Sequence, residues 1–160
     1  MKPVIRVELS PEPVSIDREA AKLAAEASRG GAGSLVVFMG FVKGVVDGRR
    51  VVFLEYEAVE DLAVAKMREI AEWAARQGMV YAVEIIHRVG RLAPGEPTIY
   101  VMVVAEPRHL AFRLASDVLD RVKREVPVYK LEGREDGEYW ILGEHERLPR
   151  RAGGEEAQGG

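Results

Sequence analysis

Residues 98–131 read TIYVMVVAEPRHLAFRLASDVLDRVKREVPVYKL, and their reading decides the fold. Thr98 to Ala105 is nearly all apolar, the composition of a strand buried on both faces and central in its sheet. After Glu106-Pro107 the period changes. Leu110, Ala111, Leu114, Ala115, Val118, Leu119 and Val122 recur at helical spacing and form one stripe, so a long amphipathic helix follows. Pro127 stops that helix, because proline lacks the amide proton and crowds the preceding turn. Val128 to Leu131 then resumes an extended pattern.

The flanking sequence fits the same frame. Val4 to Leu9 alternates apolar and polar residues as a half-buried strand, interrupted by Pro11 and Pro13. Ser15 caps a helix to about Ala27, and Ser28 to Gly33 supplies a glycine-rich stop. Leu35 to Val42 reads as a buried strand, Asp47-Gly48 as a turn, and Val51 to Tyr56 as the returning strand. From Val59 to Gln77 the positions Leu62, Ala63, Met67, Ile70 and Ala74 predict a second long helix, ended by Gly78. Val80 to Val89 is a strand, and Pro94-Gly95 a turn. Val128 to Leu131 and Tyr139 to Leu142 flank a turn-rich stretch, Gly133 to Gly137, as a closing hairpin. The expectation is an α+β fold: a single domain over residues 1–149, with a mixed or largely antiparallel sheet, two long helices and a C-terminal hairpin. Arg150 to Gly160 is polar, glycine-rich and aperiodic, and is expected to be a flexible tail.

Composition narrows the chemistry. The 160 residues include no cysteine, which excludes disulfides, thiolate metal sites and a cysteine nucleophile. His87, His109 and His145 lack metal-ligand spacing, so neither a metal nor a cofactor is expected. A net charge of −3 disfavours a nucleic-acid-coating protein. With no signal peptide and no membrane-length apolar run, the expected compartment is the cytoplasm. The chain has no asparagine and only two glutamines, Gln77 and Gln158; a thermophilic source and GC-rich codon usage explain this equally well.

Three segments carry possible chemistry. Lys123 lies in the last turns of the long helix, at the edge of its apolar stripe, and Lys130 follows the Pro127 break closely enough to share a pocket with it. Paired lysines suit general acid–base or nucleophilic work and an anionic substrate, although lysines there also complement the helix dipole. Phe41-Val42-Lys43-Gly44 ends an apolar strand on a basic residue beside glycine, where an anion can approach the backbone; a flexible turn would look the same. Arg108 opens the long helix, where free amides and the positive dipole end also favour an anion; an exposed arginine at a helix start explains it equally well. Arg108 and Lys123 lie about 22 Å apart at 1.5 Å rise per residue. If both bind one substrate, the pocket must be shared across a subunit interface, as in a homodimer with composite sites.

In order, Gly40-Phe41-Val42-Lys43, Leu54-Glu55-Tyr56, Ile86-His87-Arg88-Val89-Gly90, Pro94-Gly95-Glu96 and Pro127-Val128-Tyr129-Lys130 make the chain resemble the molybdopterin synthase catalytic (large) subunit family, from about Pro13 to Arg147. The resemblance implies a sulfurtransferase that converts cyclic pyranopterin monophosphate to molybdopterin. Sulfur would arrive as a thiocarboxylate on the C-terminal Gly-Gly of a small ubiquitin-like partner. It further implies a homodimer of large subunits within a heterotetramer. Lys123 and Lys130 match the family's essential lysines, and Phe41, Val42, Lys43 and Arg108 match its pterin-phosphate pocket. Two positions depart: Pro107 stands where the family has histidine, and Lys43 where many members have arginine, which loses the bidentate fork for phosphate. The rival expectations are a Schiff-base lysine enzyme and a non-catalytic anion- or nucleotide-binding module.

Overall fold

The computed structural model describes residues 2–143 and 146–150. His145, and the expected tail from Arg151 onward, lie outside them. The first sheet has four strands in the order β1-β5-β7-β2: β1 (Val4–Ser10), β5 (Met79–Arg88), β7 (Pro97–Glu106) and β2 (Leu35–Phe41). β1 runs parallel to β5 and the other pairings are antiparallel, so the mixed sheet expected from the sequence is present.

Both faces of this sheet are covered, which is why β5 and β7 read as continuous apolar runs. Val83, Ile85, Val101 and Val103 face α2 (Glu60–Ala75) and α3 (Arg108–Glu125). Ala82, Ile86, Tyr100 and Met102 face α1 (Ile16–Ala27) through Leu23 and Ala27. The α3 stripe is buried at Leu110, Ala111, Leu114, Ala115, Val118 and Val122. Each fully buried leucine or valine contributes about 1.5–3 kcal/mol of transfer free energy. Ser15 caps α1 by accepting from the Arg18 amide at 3.3 Å, and α3 ends where Val126 turns extended before Pro127.

A buried carboxyl also lies on the α1 face. Glu84 of β5 is 1% exposed, and Glu19 of α1 and Arg6 of β1 reach it. Arg6 Nη1 lies 2.9 Å from Glu19 Oε1 but 3.9 Å from Glu84 Oε1. Glu8 Oε2 lies 2.9 Å from Arg6 Nη2 as well, so three carboxyls share one guanidinium, with Lys22 as a weaker neighbour of Glu84. Burial first, and the Glu19 charge second, push the Glu84 carboxyl up to about 7.

The second sheet runs β10-β9-β8-β4-β3, with β6 also paired to β4. Its strands are β3 (Val45–Val46), β4 (Arg49–Ala58), β6 (Gly90–Leu92), β8 (Val128–Arg134), β9 (Gly137–Leu142) and β10 (Glu146–Pro149). β8 and β9 form the expected C-terminal hairpin. The expected return of Val51 to Tyr56 alongside Leu35 to Val42 does not occur. β2 pairs with β7, and the Asp47-Gly48 turn joins β4 to the two-residue β3 instead. Both turn residues have positive φ (51° and 73°), as a type I′ hairpin turn requires.

The cause is a bulge at Gly40/Phe41 that takes β2 out of register. A Cβ at Gly40 would meet Thr98 Oγ1 at 3.0 Å and Ile99 Cγ2 at 3.3 Å, so any larger residue would have to push these side chains aside. Beyond the bulge, the Val42 amide donates to the Glu96 carbonyl at 3.0 Å and the Gly95 amide to the Val42 carbonyl at 2.8 Å. The chain crosses between sheets directly at 42–44, at Val89 and at 93–96, and the first and third crossings are bonded to each other.

Candidate functional site

The first of these crossings, through Val42 and Lys43, borders a cavity of about 310 Å³ between the two sheets and the C-terminal end of α3. Its apolar wall comes from β2, β4 and β7 and from α3, including Phe38, Leu54, Ile99, Leu119 and Val122. Its basic wall comes from Lys43 just past β2, Lys123 in the last turn of α3, Lys130 on β8 and Arg147 on β10. The α3 stripe positions Lys123: Val122 is buried beside it, so the next residue emerges at the rim. On β8, the period-2 alternation that buries Leu131 on the opposite side turns Lys130 and Glu132 into the cavity.

The structure therefore brings Phe41, Val42, Lys43, Lys123 and Lys130 to one cavity. Val42 is 2% exposed and acts as wall, while Phe41 is 59% exposed at the mouth. Arg108 does not line this cavity. It is the first residue of α3 and exposed, as is His109, at the far end of the helix from Lys123.

Several cavity residues were not singled out by the sequence reading. His87 is 6% exposed yet lines the cavity. Its Nδ1 lies 2.7 Å from the Arg88 carbonyl oxygen. A carbonyl can only accept, so the proton sits on Nδ1 and Nε2 keeps its lone pair. Burial, with the nearby Lys130 charge, pulls this imidazole down to about 4, so it is neutral at physiological pH. Tyr56 of β4 meets His87 edge to face, with ring centroids 5.0 Å apart and planes at 74°. Burial pushes its phenol up to about 12, opposed by a hydrogen bond with Thr98.

Glu132, 3% exposed, sits 2.6 Å from Arg134 Nε and 3.3 Å from Arg147 Nε. Its desolvation is offset by charge-assisted hydrogen bonds. The signal that could have found these residues is period-2 alternation: Tyr56, Lys130 and Glu132 are polar residues on the inward side of their strands. Such a cavity can hold an anion against its basic wall and a flat ring against its apolar one. Among the described residues, no three His, Asp or Glu side chains gather as a metal site. No helix among them is long and apolar enough to cross a membrane.

Fold and cavity together define a class: a small α+β protein whose two sheets close over a basic cleft sized for an anionic small molecule. The chain belongs to the family described as the MoaE protein, which matches it over residues 9–125. Phe41, Val42, Lys43, Arg108 and Lys123 lie inside that stretch, and Lys130 lies beyond it. A Pyrococcus abyssi relative named molybdopterin synthase catalytic subunit is 39% identical over 134 residues, covering 84% of this chain and 88% of the relative. Among solved structures, the chain is similar to a molybdopterin biosynthesis MoaE protein from Burkholderia ambifaria (29% identity, TM-score 0.69, 98% of this chain and 97% of that one). It is also similar to the molybdopterin synthase of Staphylococcus aureus (26% identity, TM-score 0.73, 89% and 98%).

Proposed function

We propose that this chain is the catalytic subunit of a molybdopterin synthase. It converts cyclic pyranopterin monophosphate to molybdopterin with sulfur delivered as a thiocarboxylate by a small ubiquitin-like partner. The observation that carries this reading is the convergence of Lys43, Lys123 and Lys130 on one half-apolar cavity in a chain of this family. A sulfurtransferase without cysteine cannot carry the sulfur as a persulfide of its own, which suits delivery by another protein. The cavity then needs only to bind the anionic pterin, receive an extended Gly-Gly tail and manage charge at the attacked carbonyl.

In this reading the apolar wall takes the pterin rings and Lys43 its phosphate. Lys130 lies nearest the thiocarboxylate carbonyl and stabilises the oxyanion that forms there, with Lys123 as its proton partner. Arg108, remote from the cavity of its own chain, serves the cavity of a second large subunit. The working assembly is accordingly a homodimer of large subunits with a small subunit at each end, in the cytoplasm. Pro107 removes an imidazole from the Arg108 side of the composite site, and His109 is not assigned its role.

The test is a molybdopterin-forming assay with pyranopterin precursor and thiocarboxylated small subunit, comparing wild type with Lys130→Ala. Product from the wild type and its collapse in the variant, with precursor still bound, supports the reading. No product from the wild type with a partner of the same organism overturns it.

A further inference from the structure

Both roles left open for the half-buried Lys130, ammonium or free amine, depend on what surrounds its head group. The side chains lining the cavity around Lys130 that carry or exchange a proton are Lys43, Tyr56, His87, Lys123, Glu132 and Arg147. Three are cationic and work against a further charge. Glu132, the carboxylate among them, also meets Arg134 and Arg147. Tyr56 is different. It is the direct cross-strand partner of Lys130, and the Lys130 Nζ stands 5.8 Å from the centre of its ring. That is within the distance at which a cation is drawn to the negative face of an aromatic ring.

We infer that Tyr56 is a positioning residue for Lys130, its ring face holding the lysine head group in the cavity as an ammonium. The inference rests on the proposed function only for its catalytic consequence; the contact itself stands on geometry. The ring is fixed from two sides, by the hydrogen bond with Thr98 and by the edge-to-face contact with His87. The His87 Nδ1 proton is in turn committed to the Arg88 carbonyl. Both neighbours support the assignment chemically. The phenol stays protonated, so the attraction is that of a cation for a π-face and not an ion pair with a phenolate. The imidazole stays neutral, so it adds no competing cation. Lys130 then acts on the reaction as a fixed positive charge and proton donor, and not as an amine nucleophile.

The test replaces Tyr56 by phenylalanine and by phenylalanines of increasing ring fluorination, which weaken the negative face while keeping the shape. The Lys130 side chain is titrated by NMR in ¹³C-lysine-labelled protein, with its signal assigned from Lys130→Arg. The expected result is that Tyr56→Phe titrates as wild type does. The Lys130 midpoint then falls stepwise with fluorination, by about half a pH unit at full fluorination, roughly a threefold change in acid dissociation constant. The alkaline limb of the kcat–pH profile should move down with it. A flat fluorination series, or Tyr56→Phe shifting as far as the fully fluorinated ring, would overturn the inference. Because the titration needs no turnover, its failure is separable from failure of the proposed activity, and circular dichroism confirms that each protein is folded.

Discussion

Replacing Glu84 by glutamine tests the charge balance beneath α1. In the folded protein this carboxyl, 1% exposed, is pushed from its ordinary 4.5 up to about 7 by burial and by Glu19. An acid raised on folding holds its proton in the native state while the unfolded chain has released it. Stability therefore falls as pH rises from about 4.5 to about 7, and stays low above that. The full shift corresponds to on the order of 3 kcal/mol at neutral pH. That is an upper bound, because the proton belongs to the Glu19–Glu84 pair jointly. A loss of about 1–3 kcal/mol is expected. Glutamine keeps the shape and a donor for Glu19 but has no proton to lose. At pH 5, wild type and Glu84→Gln should melt within a degree or so of each other. At pH 8 the variant should melt several degrees higher, at roughly 2–4 °C per kcal/mol for a chain of this size. Differential scanning calorimetry across pH 5–8 measures the divergence. Parallel melting curves, with a constant offset at every pH, would refute the reasoning.

His87 should show the opposite sign. Its folded value of about 4 lies below the ordinary 6.5, so wild-type stability rises between those limits. His87→Gln should remove on the order of 1–3 kcal/mol of the loss seen by urea unfolding on going from pH 7 to pH 4.5. Gly133→Ala would drive a Cβ into the Phe53 ring, whereas Gly33→Ala meets open space. The first should cost about 1–3 kcal/mol in chemical denaturation and the second well under 1. Finally, Arg108→Ala and Lys130→Ala subunits, each inactive alone, should recover about a quarter of wild-type activity when unfolded together and reassembled. Random pairing makes half the dimers mixed, and each mixed dimer keeps one intact composite site. No recovery on mixing would remove Arg108 from the site.

Elements whose signal is local were legible in the sequence. The Ser15 cap, the α3 stripe and the Asp47-Gly48 turn each depend on neighbours within a few residues, and each is found where the pattern puts it. The partner of β2 was not legible. It is set by a bulge at Gly40/Phe41 and by backbone bonds from Val42 to residues 95 and 96, which leave no periodic trace. β6 and β10 are three and four residues long, too short to show alternation. Among the site residues, Lys123 and Lys130 stood out as charges where apolar patterns break. His87 did not, because its strand is buried on both sides and a neutral imidazole there satisfies the same pattern as a core residue. Arg147 lies on a strand that the reading did not contain.

The bonded crossings at 42–44 and 93–96 also bear on how the molecule comes apart. A sheet that opens on its own normally does so as a separate cooperative unit, with its amides exchanging ahead of the rest. Here the amides that lead out of the first sheet are bonded to the segment that leads back into it, and Val42 packs against Val51, Tyr56 and Leu92 of the second sheet. Releasing either sheet severs those bonds and opens that packing in one step. Amides in β4 and β7 should therefore lose hydrogen-exchange protection with the same denaturant dependence. The floor of the cavity has no route to partial melting that leaves its walls standing.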